Sequence, residues 1–506
     1  MSTRHSIWII LMVLLGLSGA WAQDAPAPEP SVAPEPSTPQ QPVPAYGPDN
    51  SAPAISENPP ISGLDLPNLE PHSAPLSYLQ LGAHFAETAD SNIEDTLGGS
   101  EVNSISRAEG SLTLQRLWSH YTLALDYAGG VGYYNAPGIG LKQVEELGFQ
   151  QKINWKRGEL GIRDAFSYQP EGNFGASYGA EGVAGAGLGG VGALFPGTVL
   201  GELGQVPRIL NVSAMDVVET LTPKSSITLT GAYGFVHFLG NDPDTGTQFI
   251  GSSEITAELG YDRILGPRDQ AAIVYAYQGF QFSTPVTFNS NVIQLMWGHR
   301  ISGRMDFLIS AGPQFTQIYN IFEPATPQDF QNTNCQVFFA ATGPELECPT
   351  NDFRIATAGR ALLRYQFPRW NLNAGYQHYL TSGSGFFAGA ESDVAHLSAN
   401  RALGRIWNLG TDVGYSRNSR VASGTCATST QNCQGVNAAV YQYGFAGFVL
   451  SRMFGRNFHA YTSYQFNDLF FDSSYCQNIA GPCNRTSQRQ VGSIGLDWIP
   501  RPIRID

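Results

Sequence analysis

Three groups of residues in this sequence have types and spacing that could do chemistry: Ser177 within Gly175-Ala176-Ser177-Tyr178-Gly179, the glycines Gly185, Gly187 and Gly190, and six cysteines. The first matches the GxSxG nucleophile elbow, where a strained strand-to-helix turn exposes a serine for acyl transfer. The second matches GxGxxG, where backbone N–H groups at a helix start cradle a pyrophosphate. Both fall in the glycine-rich stretch from Glu171 to Pro207, which predicts neither the strand nor the helix that either motif requires, so both read as chance matches. No HExxH or phosphate-binding P-loop occurs, and the nine histidines are scattered with no carboxylate at catalytic spacing. The sequence therefore predicts no enzyme, no catalytic residues, no cofactor and no metal site.

The cysteines form three local pairs, Cys335 with Cys348, Cys426 with Cys433, and Cys476 with Cys483. In an oxidising compartment such proximity predicts three loop-stapling disulfides. A metal site is the competing reading, but it lacks CxxC spacing and neighbouring histidines. The remaining chemistry lies in charged side chains whose use depends on which face of a strand carries them, and that turns attention to the elements that position them.

The N-terminus sets the compartment. Arg4 and His5 precede an apolar run from Ile7 to Leu17 that ends in Ala20-Trp21-Ala22. This is the pattern of a secretory signal peptide, residues 1–22, with cleavage expected after Ala22; the run is short of the ~20 apolar residues a spanning helix needs. Residues 23–74 are a linker, dominated up to about Pro60 by proline, alanine, serine and acidic residues, with no Lys or Arg between Arg4 and Arg107. Such composition buries too little apolar surface to offset ordering entropy, so an extended periplasmic tether is expected, either a spacer or a strip for a periplasmic partner. The segment from Pro60 to Pro71 is more apolar and is a candidate to lie against the rest of the chain or inside it.

From residue 75 onward no apolar helix is long enough to span a membrane, yet only 14% of the chain is charged while 22 tyrosines and 28 phenylalanines are present. A water-soluble domain carries nearer a quarter charged residues, so part of the surface is expected to face something other than water. A net charge of -14 with only four lysines argues against nucleic acid as a partner.

The pattern over 75–506 is alternating strands joined by eight short connections and nine longer polar ones, the latter centred near residues 95, 137, 189, 244, 286, 336, 387, 428 and 478. That rhythm predicts an all-β, single-chain, antiparallel transmembrane barrel of about 18 strands, with both chain ends on the side of the short turns. The strand with the weakest alternation is Arg208 to Leu221; without it the count is odd. In Tyr121 to Tyr133, Tyr121, Leu123, Leu125, Tyr127, Val131 and Tyr133 share one face and should meet lipid, whereas Thr122, Ala124, Asp126 and Gly130 face inward. The same parity places Arg354, Arg360 and Arg364 inside, together with Asp412, and makes Glu254, Glu258 and Asp306 their lumen neighbours. Strand-end aromatics such as Trp118, Trp155, Trp297, Trp370, Trp407 and Trp498 are expected to form interfacial girdles. A soluble sandwich or propeller is the alternative all-β fold, but it does not predict connections that alternate in length this regularly.

On these features, signal peptide, turn-loop rhythm and aromatic belts, residues 75–506 resemble the porin-type outer-membrane barrels of Gram-negative bacteria. The chain departs from that family in continuing past Trp498 through Ile-Pro-Arg-Pro-Ile-Arg-Ile-Asp, where such barrels usually finish on a terminal aromatic. The resemblance implies that the third outer loop, residues 171–207, folds inward as a constriction carrying Glu171, Glu181 and Glu202. It also implies that this acidic loop and the arginine wall set a transverse field selecting solutes by charge. The other reading of the arginines is that they pair with the lumen carboxylates and stiffen the wall. The expected function is a passive channel for small hydrophilic solutes in outer-membrane lipid; the alternative is a structural or surface-recognition barrel with a blocked lumen. An oligomer is compatible with either.

Overall fold

The computed structural model describes residues 60–62, 77–93, 97–99, 101–136, 139–169, 206–240, 249–324, 336–340, 343–367, 369–383, 385–422, 438–476 and 483–505. The expected signal peptide, most of the linker, and the two glycine motifs lie outside these residues. So do Glu171, Glu181, Glu202, Cys335, Cys426 and Cys433.

The strands in chain order are β1 (Tyr78–Asp90), β2 (Asn103–Leu117), β3 (Tyr121–Tyr134), β4 (Gly140–Trp155), β5 (Gly158–Gln169), β6 (Arg208–Thr222) and β7 (Ser225–Phe238). Next come β8 (Ser252–Ile264), β9 (Asp269–Phe282), β10 (Thr287–Ser302), β11 (Met305–Pro324), β12 (Gln336–Ala340) and β13 (Gly343–Gln366). The chain continues with β14 (Trp370–Thr381), β15 (Ala390–Ala402), β16 (Trp407–Arg420), β17 (Val440–Phe454), β18 (Phe458–Phe471), β19 (Thr486–Trp498) and β20 (Ile503–Arg504). Every pairing is antiparallel. Each barrel strand bonds to its sequence neighbour, β11 pairs with β13, and β19 returns to β1, from Ala83↔Trp498 to Asp90↔Val491. Setting aside β12, which pairs with β13 in an outer connection, and β20, the described residues close a barrel of eighteen strands. Arg208–Thr222, the strand of weakest alternation, is paired along its length on both sides.

Alternation explains why these segments are strands and which face each presents. On β16, Val413 and Tyr415 are 47% and 46% exposed while Asp412 and Ser416 are 4% and 1% exposed. The apolar side chains face out and the polar ones are enclosed, the inverse of a water-soluble protein and the arrangement lipid demands. Indoles mark the inner edge of the apolar belt, next to the short turns. The guanidinium groups of Arg116, Arg401 and Arg452 stack over Trp118, Trp370 and Trp407 at 5.1, 4.7 and 5.1 Å. Trp155 and Trp297 donate their indole N–H to Glu219 and Asp269. Tyrosines mark the outer edge: Tyr127, Tyr275 and Tyr376 donate to Glu145, Asn291 and Asp393 on adjacent strands at 2.5, 2.7 and 2.7 Å. An apolar ring with a polar tip suits the headgroup boundary.

The seam between β1 and β19 is the one strand pair of the barrel that no turn holds together. Its lumen side carries a ladder of buried polar contacts instead. Arg489 donates twice to Asp90, with Nε at 2.8 Å and Nη2 at 2.5 Å; Thr88 and Ser493 share a hydroxyl contact; His84 pairs with Asp497 and stacks on Tyr461. The tail past Trp498 joins the same seam. Pro500 and Pro502 have no N–H to give, so the ladder breaks and resumes with Leu79↔Ile503 and Tyr78↔Arg504. The residues that depart from the family pattern thus extend the closing edge.

Candidate functional site

The barrel interior has a charged wall, an apolar outer end and an occupied inner end. On β13 the even positions face inward, so Arg354, Arg360 and Arg364 line one side of the lumen. On β8 the same parity turns Glu254, Glu258 and Asp262 inward, forming an acidic strip four strands round the barrel from the arginines. The arginines are not bare. Arg364 Nε donates to Asp306 at 3.0 Å, Arg354 Nε to Asp352 at 2.8 Å, and Arg360 reaches the carbonyl of Ile61 at 3.5 Å. The side chains of Arg354 and Arg364 are 49% and 45% exposed, and ion pairs as solvated as these contribute at most about 1 kcal/mol. Stiffening of the wall by these pairs is therefore small. Asp412, enclosed on β16, pairs with His396 at 2.5 Å, and Glu254 accepts from the Thr256 hydroxyl at 3.0 Å. Asp352, His396 and Asp262 are lumen partners that the sequence pattern did not single out.

The outer end is crossed by a different kind of residue. From the connection between β14 and β15, Phe386 and Phe387 turn inward, each only 1% exposed. Phe386 packs on Phe249 next to β8 and on Tyr441 and Phe471 of β17 and β18, with ring centroids 5.8, 5.1 and 5.3 Å away. Eight strands separate β7, whose Phe238 packs on Phe249, from β17 in either direction round the eighteen, so these rings bridge the lumen across its diameter. Ala388 joins an adjoining cluster with Ile250, Phe280, Phe288, Ile318 and Leu380.

Glycine makes this path available. Gly383, Gly385 and Gly389 have φ of +80°, +82° and +83°, a left-handed backbone that side-chained residues resist, and a β-carbon at Gly389 would overlap the Phe288 ring. Backbone bonds fix the result: Phe386 and Phe387 donate to Gly383 O at 3.1 and 3.2 Å, and Ile250 donates to Gly385 O at 2.9 Å. Sequence reasoning placed an outer connection near residue 387; the constriction it expected, 171–207, lies almost wholly outside the described residues. The signal available was an apolar Phe-Phe doublet flanked by glycines in a connection expected to be polar.

Of the three expected disulfides, Cys476–Cys483 is formed, with its Cα atoms 5.8 Å apart, in the outer connection between β18 and β19. Cys348 is also disulfide-bonded.

No protein-family model matches the chain, and no curated protein matches it. Solved structures similar in outline include the ferric-catecholate import receptor Fiu of E. coli K12, at 6% identity and TM-score 0.41, covering 86% of this chain and 82% of that one. Others are OpdL of Pseudomonas aeruginosa, at 9% identity and TM-score 0.36 over 84% and 98%, and OccK2 (OpdF) of the same organism in complex with glucuronate, at 9% and 0.38 over 85% and 98%. The architecture itself carries the assignment: the chain is a closed, eighteen-stranded, membrane-spanning β-barrel of outer-membrane type, with a charged interior beneath an aromatic layer.

Proposed function

We propose that this protein is a passive channel of the bacterial outer membrane for small hydrophilic solutes, held shut in the described conformation by the aromatic layer at its outer end. The observation that carries the reading is where the block sits. Its Phe386 and Phe387 hang on a glycine-hinged connection and pack against aromatics of the wall strands, while the wall beneath carries half-exposed arginines. Movement of one loop would expose a hydrated path without disturbing the barrel. Residues 171–207, with Glu171, Glu181 and Glu202, retain a proposed place as a second narrowing. The charged strips of β8 and β13 would discriminate solutes by sign, as rings of charge do in other pores.

The second reading, a surface-recognition barrel with a permanently filled lumen, draws on the depth of the same aromatic layer. Planar-bilayer recording separates the two: current steps, rare in the parent protein and frequent once the layer is weakened, belong to a channel. In a salt gradient, Arg360→Gln with Arg364→Gln is expected to move the reversal potential toward cation selectivity, because two fixed positive charges leave the path. An unchanged reversal potential in conducting protein removes these residues from the path. Silence of both parent and weakened protein, with folding intact, favours the recognition barrel.

A further inference from the structure

A short stretch of the N-terminal region, Pro60 to Ser62, lies inside the barrel, about 200 residues in sequence from the wall it touches. Asp262 receives it: Oδ1 accepts the backbone N–H of Ile61 at 2.8 Å and of Ser62 at 3.0 Å, and Oδ2 accepts the Ser62 hydroxyl. The Ser62 hydroxyl also lies 2.5 Å from that of Thr228. The Ile61 side chain packs on a cluster of inward apolar residues, Val274, Met296 and Leu308 among them, and its carbonyl faces Arg360.

These wall positions sit near the short-turn ends of their strands, so the contact lies in the inner part of the lumen. Two features mark it as a built site. Asp262 is 1% exposed, and an enclosed carboxylate needs donors; here the tripeptide supplies three. Gly260, between Glu258 and Asp262, has no side chain, and a β-carbon there would overlap Ser62.

We propose that the inner part of the lumen is a peptide-docking site on one wall whose occupant is the chain's own Ile61-Ser62, which there covers the apolar floor around Met296. The site recognises two consecutive backbone N–H groups and a hydroxyl through one carboxylate, and an aliphatic side chain through the floor. Docking of this kind stands whether or not the barrel conducts, and its test does not use current.

The test uses the full-length protein purified in detergent. Ser62→Cys with Thr228→Cys is expected to form a disulfide without added oxidant, detected by non-reducing mass mapping; absence of that bond in folded protein overturns the docking. A cysteine at Met296 then reports cover. Its reaction with a charged maleimide is expected to be slow in the parent and faster by at least about tenfold with Asp262→Ala, which removes hydrogen bonds to a charged acceptor. Ser62→Pro deletes the Ser62 N–H and hydroxyl without touching the barrel wall, and is expected to raise the rate in the same direction. Equal labelling rates in all three proteins would show that the segment covers nothing and would overturn the proposal.

Discussion

Replacing Phe386 and Phe387 together by alanine is expected to convert a mostly silent barrel into one that conducts, raising mean current in planar bilayers by more than about tenfold. Each ring is almost fully enclosed among Phe249, Tyr441 and Phe471. Truncating a buried phenylalanine costs about 3–5 kcal/mol in packing, and each 1.4 kcal/mol is a factor of ten in an equilibrium. Even if half of that loss is recovered by collapse of neighbouring side chains, the closed arrangement loses its advantage over one with the loop displaced. Gly389→Val acts on the same loop by another route. Its side chain would meet the Phe288 ring and force a left-handed backbone on a β-branched residue, so it too should open the path. Heat-modifiable mobility on gels verifies that the barrel itself is intact in each variant. Conductance equal to that of the parent in both variants would mean the aromatic layer is not what blocks flow.

The second large effect concerns the seam. Asp90→Ala should lower barrel stability by about 3–5 kcal/mol, the usual cost of leaving one partner of a buried ion pair uncompensated. Asp90 is wholly enclosed and its Oδ2 accepts both Nε and Nη2 of Arg489, while Oδ1 accepts the N–H of Asn92. β1 and β19 are joined by pairing alone, between residues about 400 positions apart, so a local loss there is not buffered by a hairpin. A lower urea midpoint for loss of the heat-modifiable form is the expected readout. The double variant Asp90→Ala with Arg489→Met should regain part of the loss, because no charge is then stranded. A single variant as stable as the parent would assign the seam's strength to its backbone ladder.

The charged lumen residues show how far pattern reading reaches. Arg354, Arg360, Arg364 and Asp412 fall on one parity of their strands, and a strand's side chains have a period of two, so their shared face was legible from sequence alone. Their partners were legible only in part. Asp306 was among the expected neighbours of Arg364, whereas Arg354 pairs with Asp352 two residues away on its own strand, and Arg360 meets a backbone carbonyl of the tether. Parity fixes a face, but register and tilt decide which side chains share a height, and those are properties of the closed sheet.

The aromatic layer is what the pattern left unread. Resemblance pointed to the third outer loop, residues 171–207, which lies almost wholly outside the described residues, whereas the layer that crosses the described lumen comes from the much shorter connection between β14 and β15. A loop's path depends on what it meets at the far wall. The fit of Phe386 against Phe249 on one side and Tyr441 on the other exists only once strands from both halves of the chain have curved round to face each other.

By itself the sequence determined the number of strands, their inward and outward faces, the side on which the ends lie and the positions of the turns, because each follows from local alternation and turn chemistry. The tertiary structure alone decided what fills the cylinder. Closure brings Phe386 to Phe249, Asp262 to Ser62 and Asp90 to Arg489, and contacts between residues more than a hundred positions apart leave no periodic trace in the chain that makes them.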